Sequence, residues 1–445
     1  MLERNGRESW IAIHCSRFLR PGFFKARFFD FWRWELAADI FAVGIAVCLP
    51  WSTSLTWLFI GFWLFALFPI LDFVELRGIV KMPAGGLPVL LWLLALLAMV
   101  WATDVSWDER WDGLTSLFKL LSIPLLMFQF QRSSRAHWVV VGFLLSSSLL
   151  LIFSWIMIFI PGLAVPWERN GGIWVPVKDY ITQSGEFAVC IFLFIGRAFK
   201  AWRDPQRGFA IALVLIAVLF FANMYSITVS RTGIFVIPAL LLLLIMTYCD
   251  RRHLAGVLLA TAVMVVTAWS FAPVVSDSIQ TVLEEIRSFR PEGVGTRAGE
   301  RLEFWRKSVG FVVDSPLIGH GTGAIRDQFR RAAVGQSGMA AMAPKNPHNQ
   351  IFAVAIQLGL VGTAVLFAMW LGHLVLFRGD SFTAWAGLVL VTQNIVSSLF
   401  NSHLFDFTQG WGYAIGVGVT AGSMLRIRRE ARAAPGAKPA TAGSS

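Results

Sequence analysis

The chemistry on offer in this chain is concentrated in a few polar residues set between long apolar runs. His348 stands in Pro344-Lys345-Asn346-Pro347-His348-Asn349-Gln350, where a polar stretch gives way to an apolar one. Pro347 restrains the backbone just ahead of a helix start. A neutral imidazole with a pKa of about 6.5 at such a boundary can take a proton from a hydroxyl; it can equally serve as an interfacial or helix-capping residue. Arg231, in Ser230-Arg231-Thr232-Gly233, sits at a tight connection between two apolar runs. A guanidinium there is costly unless it is paired or reaches the interface. Either it snorkels, or it presents a fork of donors to a diphosphate.

A second cationic group lies further along. Arg297, Arg301 and Trp305 recur every four residues and share one face of a predicted helix, which joins cations to an apolar anchor or forms a solvated face salt-bridged to Glu300 and Glu303. The turn Gly319-His320-Gly321-Thr322-Gly323 exposes backbone N–H groups of the kind that cradle an anion, but no GK[ST] follows, so it is not a P-loop. Asp104, Asp108, Glu109 and Asp112 crowd one short segment, as a carboxylate base, a metal site, or acidic residues kept on one side of a membrane. Neither a Ser-His-Asp order with a nucleophile elbow nor HExxH occurs. The four cysteines, Cys15, Cys48, Cys190 and Cys249, form no CxxC, so neither a disulfide framework nor a zinc site is expected.

The elements that must position these residues are apolar helices. Hydrophobic residues make up 56% of 445 positions and charged ones 15%, a balance that leaves too little polar surface for a soluble domain of this length. The apolar runs have the length a helix needs to cross a hydrocarbon core, and they lack the alternation of barrel strands. Spans are expected near Leu36–Leu49, Leu55–Leu71, Leu87–Ala102, Gly113–Phe130, Trp138–Ile160, Tyr180–Phe199, Phe209–Ile227, Thr232–Cys249, Leu254–Phe271, Ile351–Phe377, Phe382–Phe400 and Gly410–Leu425. The fold class is thus all-α, a polytopic integral membrane protein of about twelve transmembrane helices. The net charge of +11 does not mark a nucleic-acid binder, because arginines and lysines gather in alternate loops and at both ends. The short intervening loops hold only Arg110, Arg169, Lys178 and Arg231, which places both termini in the cytoplasm. Residues 1–35 form a basic, amphipathic cytoplasmic segment; 36–272 hold nine spans; 273–347 form one large outer loop with helices of its own; 348–425 hold three more spans; and 426–445 form a basic cytoplasmic tail.

Taken in order, Ser230-Arg231-Thr232-Gly233, Arg301-x-x-x-Trp305, Pro316-Leu317-Ile318-Gly319-x-Gly321 and His348-Asn349 resemble the O-antigen ligase and polymerase superfamily, over roughly Tyr225 to Gly362. The resemblance implies a glycosyltransferase C-like enzyme of the bacterial inner membrane with a periplasmic active site and no cofactor or metal. It implies an O-antigen ligase that moves glycan from undecaprenyl diphosphate to a lipid A–core hydroxyl, with inversion. The polymerase and the protein O-oligosaccharyltransferase are close relatives, and a transporter or flippase of lipid-linked glycans is the reading from another class. By motif, Arg231 and Arg301 would hold the diphosphate, His348 would act on the acceptor hydroxyl, and Asn349, Gly319 and Gly321 would line the substrate site. The implied partners are the lipid-linked donor, the lipid A–core acceptor and membrane lipids, with no nucleic acid.

Overall fold

The structure is a computed structural model that describes residues 21–160, 175–204, 206–227, 231–248 and 273–433, without the side chains of 21–31, 158, 225–227, 231 and 273–279. The expected span Leu254–Phe271 lies outside the described residues, as do 1–20 and the last residues of the tail. Every regular element among the described residues is helical. In order they are α1 (Pro21–Cys48), α2 (Thr53–Leu67), α3 (Phe73–Val80), α4 (Pro83–Ala98), α5 (Trp107–Leu117), α6 (Ser122–Arg132), α7 (Ala136–Phe159) and α8 (Tyr180–Arg203). There follow α9 (Arg207–Ile227), α10 (Arg231–Tyr248), α11 (Pro273–Arg287), α12 (Arg297–Asp314), α13 (Ala324–Ala333), α14 (Gln350–Leu376), α15 (Phe382–Ser398) and α16 (Phe407–Ala433).

Local sequence explains most boundaries. Ser52 caps α2 by accepting from Leu55 N–H at 3.2 Å, and Asp72 caps α3. Pro83 starts α4, where a missing N–H costs nothing. From Pro21 the chain runs through Trp34 and Glu35 into the first span as one helix, for neither Pro nor Gly interrupts it after residue 22 until Gly44. The expected span at Leu87–Ala102 ends at Ala98 and is preceded by the short α3, bent from α4 by 87°. A 3-10 step at Phe118–Leu121 joins α5 and α6 into one rod.

By length and composition, five described helices can cross a membrane, or six if the bent α3–α4 pair counts as one span. Large apolar side chains face outward from α7 and α9, among them Leu145, Ile152, Leu215 and Val218. Helices that are apolar on both their packed and their outward faces belong in lipid. Inside, one core cluster joins α1, α2, α4, α6, α14 and α16, and a second joins α8, α9 and α10 with α15. The buried Asp39 ties α1 to the α6–α7 turn, accepting from Gln129 Nε2 (2.8 Å), Ser133 Oγ (2.7 Å) and Arg135 Nη1 (3.1 Å).

A third, smaller cluster seats α12 and α13 on the first turns of α14 through Phe304, Phe311, Phe329, Ala353 and Ile356. The turn between α12 and α13 then enters α14 itself, which is broken at Gly359 (φ 63°). His320 N–H donates to Ile356 O (2.8 Å) and Gly321 N–H to Gln357 O (3.0 Å) on one side of the break; Leu360 N–H donates to Pro316 O (2.8 Å) and Val361 N–H to Leu317 O (3.2 Å) on the other. The backbone groups that the break releases are thus satisfied by the inserted turn. Only glycine fits at the crossing: a Cβ on Gly359 would lie 2.3 Å from the Leu317 carbonyl carbon, and one on Gly319 2.5 Å from that of Gln357.

Candidate active site

The segment that leads into α14 is wound tightly. Asn349 caps the helix, its Oδ1 accepting from Ile351 and Phe352 N–H, while its Nδ2 donates to Leu399 O (3.0 Å). Its polar atoms are therefore committed to the fold. His348, one residue earlier, has φ 54°, the only positive φ of a non-glycine residue among those described. Such backbone is uncommon outside glycine and persists where neighbours hold it. Here Asn346 Oδ1 accepts from His348 N–H (2.8 Å) and from Ser402 Oγ (2.7 Å), which ties this segment to the turn between α15 and α16.

That second turn supplies what His348 needs. Asn401 Oδ1 lies 3.0 Å from His348 Nδ1, and Asn401 Nδ2 donates to Asp406 Oδ2 (3.0 Å). A carboxylate only accepts, so the amide must turn its NH2 to Asp406 and its oxygen to the imidazole. His348 then carries its proton on Nδ1, and Nε2 is left with a lone pair, the arrangement of a general base. Lys119, buried in the rod between α5 and α6, donates to the carbonyls of Phe405 (3.0 Å) and Asp406 (2.7 Å) and fixes the turn from behind.

The third wall is α12. Phe304 lies nearly parallel to the His348 ring at 6.2 Å, and Arg301 precedes it by one helical turn. Burial holds the imidazole pKa below its ordinary 6.5; the Arg301 charge lowers it further, against the Asn401 hydrogen bond and the carboxylates of Asp406 and Glu300, which raise it. A neutral, desolvated imidazole with a guanidinium close by can accept a proton while negative charge is stabilised beside it. Arg297, on the same face of α12, donates from Nη1 to the Tyr180 hydroxyl (3.2 Å).

The other expected residues sort differently. The Arg231 side chain lies outside the described residues, although its helix, α10, begins there. The Gly321 amide is spent on Gln357 O and Gly319 packs on the α14 backbone, so the turn is a wedge in a broken helix and not an open anion cradle. Asp104, Glu109 and Asp112 pair with Arg331 (3.1 Å), Arg330 (3.0 Å) and Lys345 (3.3 Å), which docks their loop on α13 and the segment before His348. His320 is bonded through Nε2 to Phe311 O at 2.7 Å. The sequence alone did not single out Asn401 or Asp406. The polar run Asn401-Ser402-His403 at the end of an apolar span is the one signal that could have drawn attention to them.

No curated protein matches the chain. Residues 216–367 match the family model described as O-Antigen ligase. That segment holds Arg231, Arg301, the inserted turn and His348, and through it the chain is similar to the O-antigen ligase superfamily of glycosyltransferase-like ligases and polymerases.

Proposed function

We propose that this protein is a member of the O-antigen ligase superfamily and joins a glycan carried on undecaprenyl diphosphate to a hydroxyl of lipid A–core, at the periplasmic face of a bacterial inner membrane. In this reading about twelve spans surround the site, both termini lie in the cytoplasm, and 273–347 is a periplasmic loop that carries α11, α12 and α13. The observation that carries the proposal is the half-buried imidazole of His348, its Nδ1 held by Asn401 so that the lone pair falls on Nε2, in the field of the Arg301 charge.

The reaction is a displacement at the anomeric carbon. His348 Nε2 takes the proton of the acceptor hydroxyl as its oxygen bonds to that carbon, and the bond to the diphosphate oxygen breaks on the opposite face, inverting the centre. Charge grows on the departing lipid diphosphate. Arg301 and Arg231 would stabilise it, each charge-assisted contact contributing about 1.5–3 kcal/mol, and no step calls for a metal or nucleotide.

Reconstitution in detergent with a defined undecaprenyl-linked glycan and lipid A–core tests this. His348→Ala should lose about 10²–10⁴-fold in rate while remaining inserted. Arg231→Lys should lose about 10²-fold, because an ammonium cannot reproduce the fork. Normal transfer by His348→Ala would sink the catalytic role. Extension of the lipid-linked glycan in place of lipid A–core would identify a polymerase. No transfer by wild type, alongside movement of the glycan lipid across sealed vesicles, would identify a flippase.

A further inference from the structure

A cavity of about 500 Å³, bounded in part by Asn401 and Asp406, opens between the α15–α16 turn, the start of α8 and the start of α2. Its wall carries Lys178, Asp179, Thr182, His403, Asp406 and Thr408, with the Phe407 ring alongside. Most of these polar groups are held in place by one another. Lys178 Nζ donates to Thr408 Oγ1 (2.7 Å) and to the Leu49 carbonyl. Asp179 caps α8 and accepts from Thr182 Oγ1 at 2.7 Å.

His403 is the exception. It is 2% exposed, yet neither ring nitrogen has a hydrogen-bond partner among the described residues; Nδ1 comes only to 3.4 Å from Asp406 Oδ2. Buried imidazole nitrogens ordinarily find partners, and one left without them points to a group that arrives from outside. The ring also borders a smaller cavity lined by Thr232 and Gly233 of the Ser-Arg-Thr-Gly motif. His403 therefore stands between that motif and the Asp406–Asn401–His348 chain.

We infer that this cavity is a subsite for one pyranose ring of a glycan, and that His403 hydrogen-bonds a hydroxyl of that ring. Sugar hydroxyls both donate and accept, which suits carboxylates, an ammonium and an imidazole in one wall. The C–H face of the ring needs an apolar surface, and Phe407, backed by Trp57 at 5.7 Å, provides one. A few convergent polar groups over an apolar floor is the ordinary make-up of a small-molecule site. The inference rests on the transferase reading for its choice of ligand. Two sources supply such a ring: the first sugar of the donor glycan and the terminal sugar of the acceptor.

Two variants separate these outcomes. His403→Phe removes both nitrogens and keeps an aromatic ring, while Thr53→Trp fills the cavity from the exposed start of α2. In steady-state transfer, each variant should raise KM for one substrate about tenfold, the scale of one lost hydrogen bond, with kcat and the other KM retained. The substrate whose KM rises names the source. Delipidated core oligosaccharide and released O-antigen repeat unit, each titrated calorimetrically into wild type, give a readout independent of turnover. Wild type should bind one of them, and both variants should bind it more weakly. If wild type binds a saccharide but transfers none, the transferase reading fails and the subsite stands. Binding of neither saccharide, unchanged KM values, or a loss confined to kcat would overturn the subsite. Should His403→Phe not fold, Thr53→Trp decides alone.

Discussion

At His348 the position of one proton follows from a carboxylate two side chains away. Asp406 orients the Asn401 amide, and the amide oxygen keeps the imidazole proton on Nδ1. Burial and Arg301 favour the neutral ring, so in the proposed reaction His348 can act as base at neutral pH and loses that capacity only as pH falls through the lowered pKa. The rate should therefore stay level from neutral pH to below 6.5 and fall on the acid side of that. Asn401→Ala removes the one hydrogen bond that favours the charged ring. Its plateau should drop about tenfold or more, and its acid limb should move to still lower pH; a plateau drop with an unmoved limb would mean a merely structural role. His348 stood out in the sequence as a candidate because Pro347, Asn349 and the onset of an apolar run surround it. Asn401 was not, because it meets His348 from 53 positions away and nothing local distinguishes it from any other turn asparagine.

Among the elements, α14 is the one whose backbone the sequence pattern left hidden. The span expected near Ile351–Phe377 is present as Gln350–Leu376, but its break at Gly359 was not foreseen, and the glycines at 319, 321 and 323 read as a turn of the kind that cradles an anion. Both readings rest on real properties, since hydropathy does not register one φ value and glycine at positive φ serves a cradle or a close crossing equally well. Gly359→Ala tests the crossing. It demands a positive φ from alanine and drives a Cβ into the Leu317 carbonyl, so it should cost about 1–3 kcal/mol or more. The cost should appear as a lowered midpoint of thermal unfolding in detergent and earlier proteolysis between α12 and α13. One helix of the loop was legible from its spacing: the helix predicted to carry Arg297, Arg301 and Trp305 on one face is α12, Arg297–Asp314.

Over the whole molecule, apolar composition made the helical, membrane-type fold legible long before any contact was known. The number of crossings is harder to read, because a bent pair such as α3–α4, or a 17-residue helix such as α15, sits at the limit of what a bilayer requires. Loop charge gives the sidedness proposed above, and thiol labelling checks it. In a background without the four native cysteines, Ser337→Cys should react with a membrane-impermeant maleimide in spheroplasts, and Ala433→Cys only after permeabilisation. The opposite pattern would invert the molecule and remove the periplasmic site. The crossing at Gly359 has a further bearing, on ancestry. Because residues 316–321 complete the peptide ladder of 356–361, neither stretch can gain or lose a position without unsettling the other. Insertions and deletions among homologues should spare both stretches or change both at once, and a functional hybrid of two such enzymes should inherit both from the same parent.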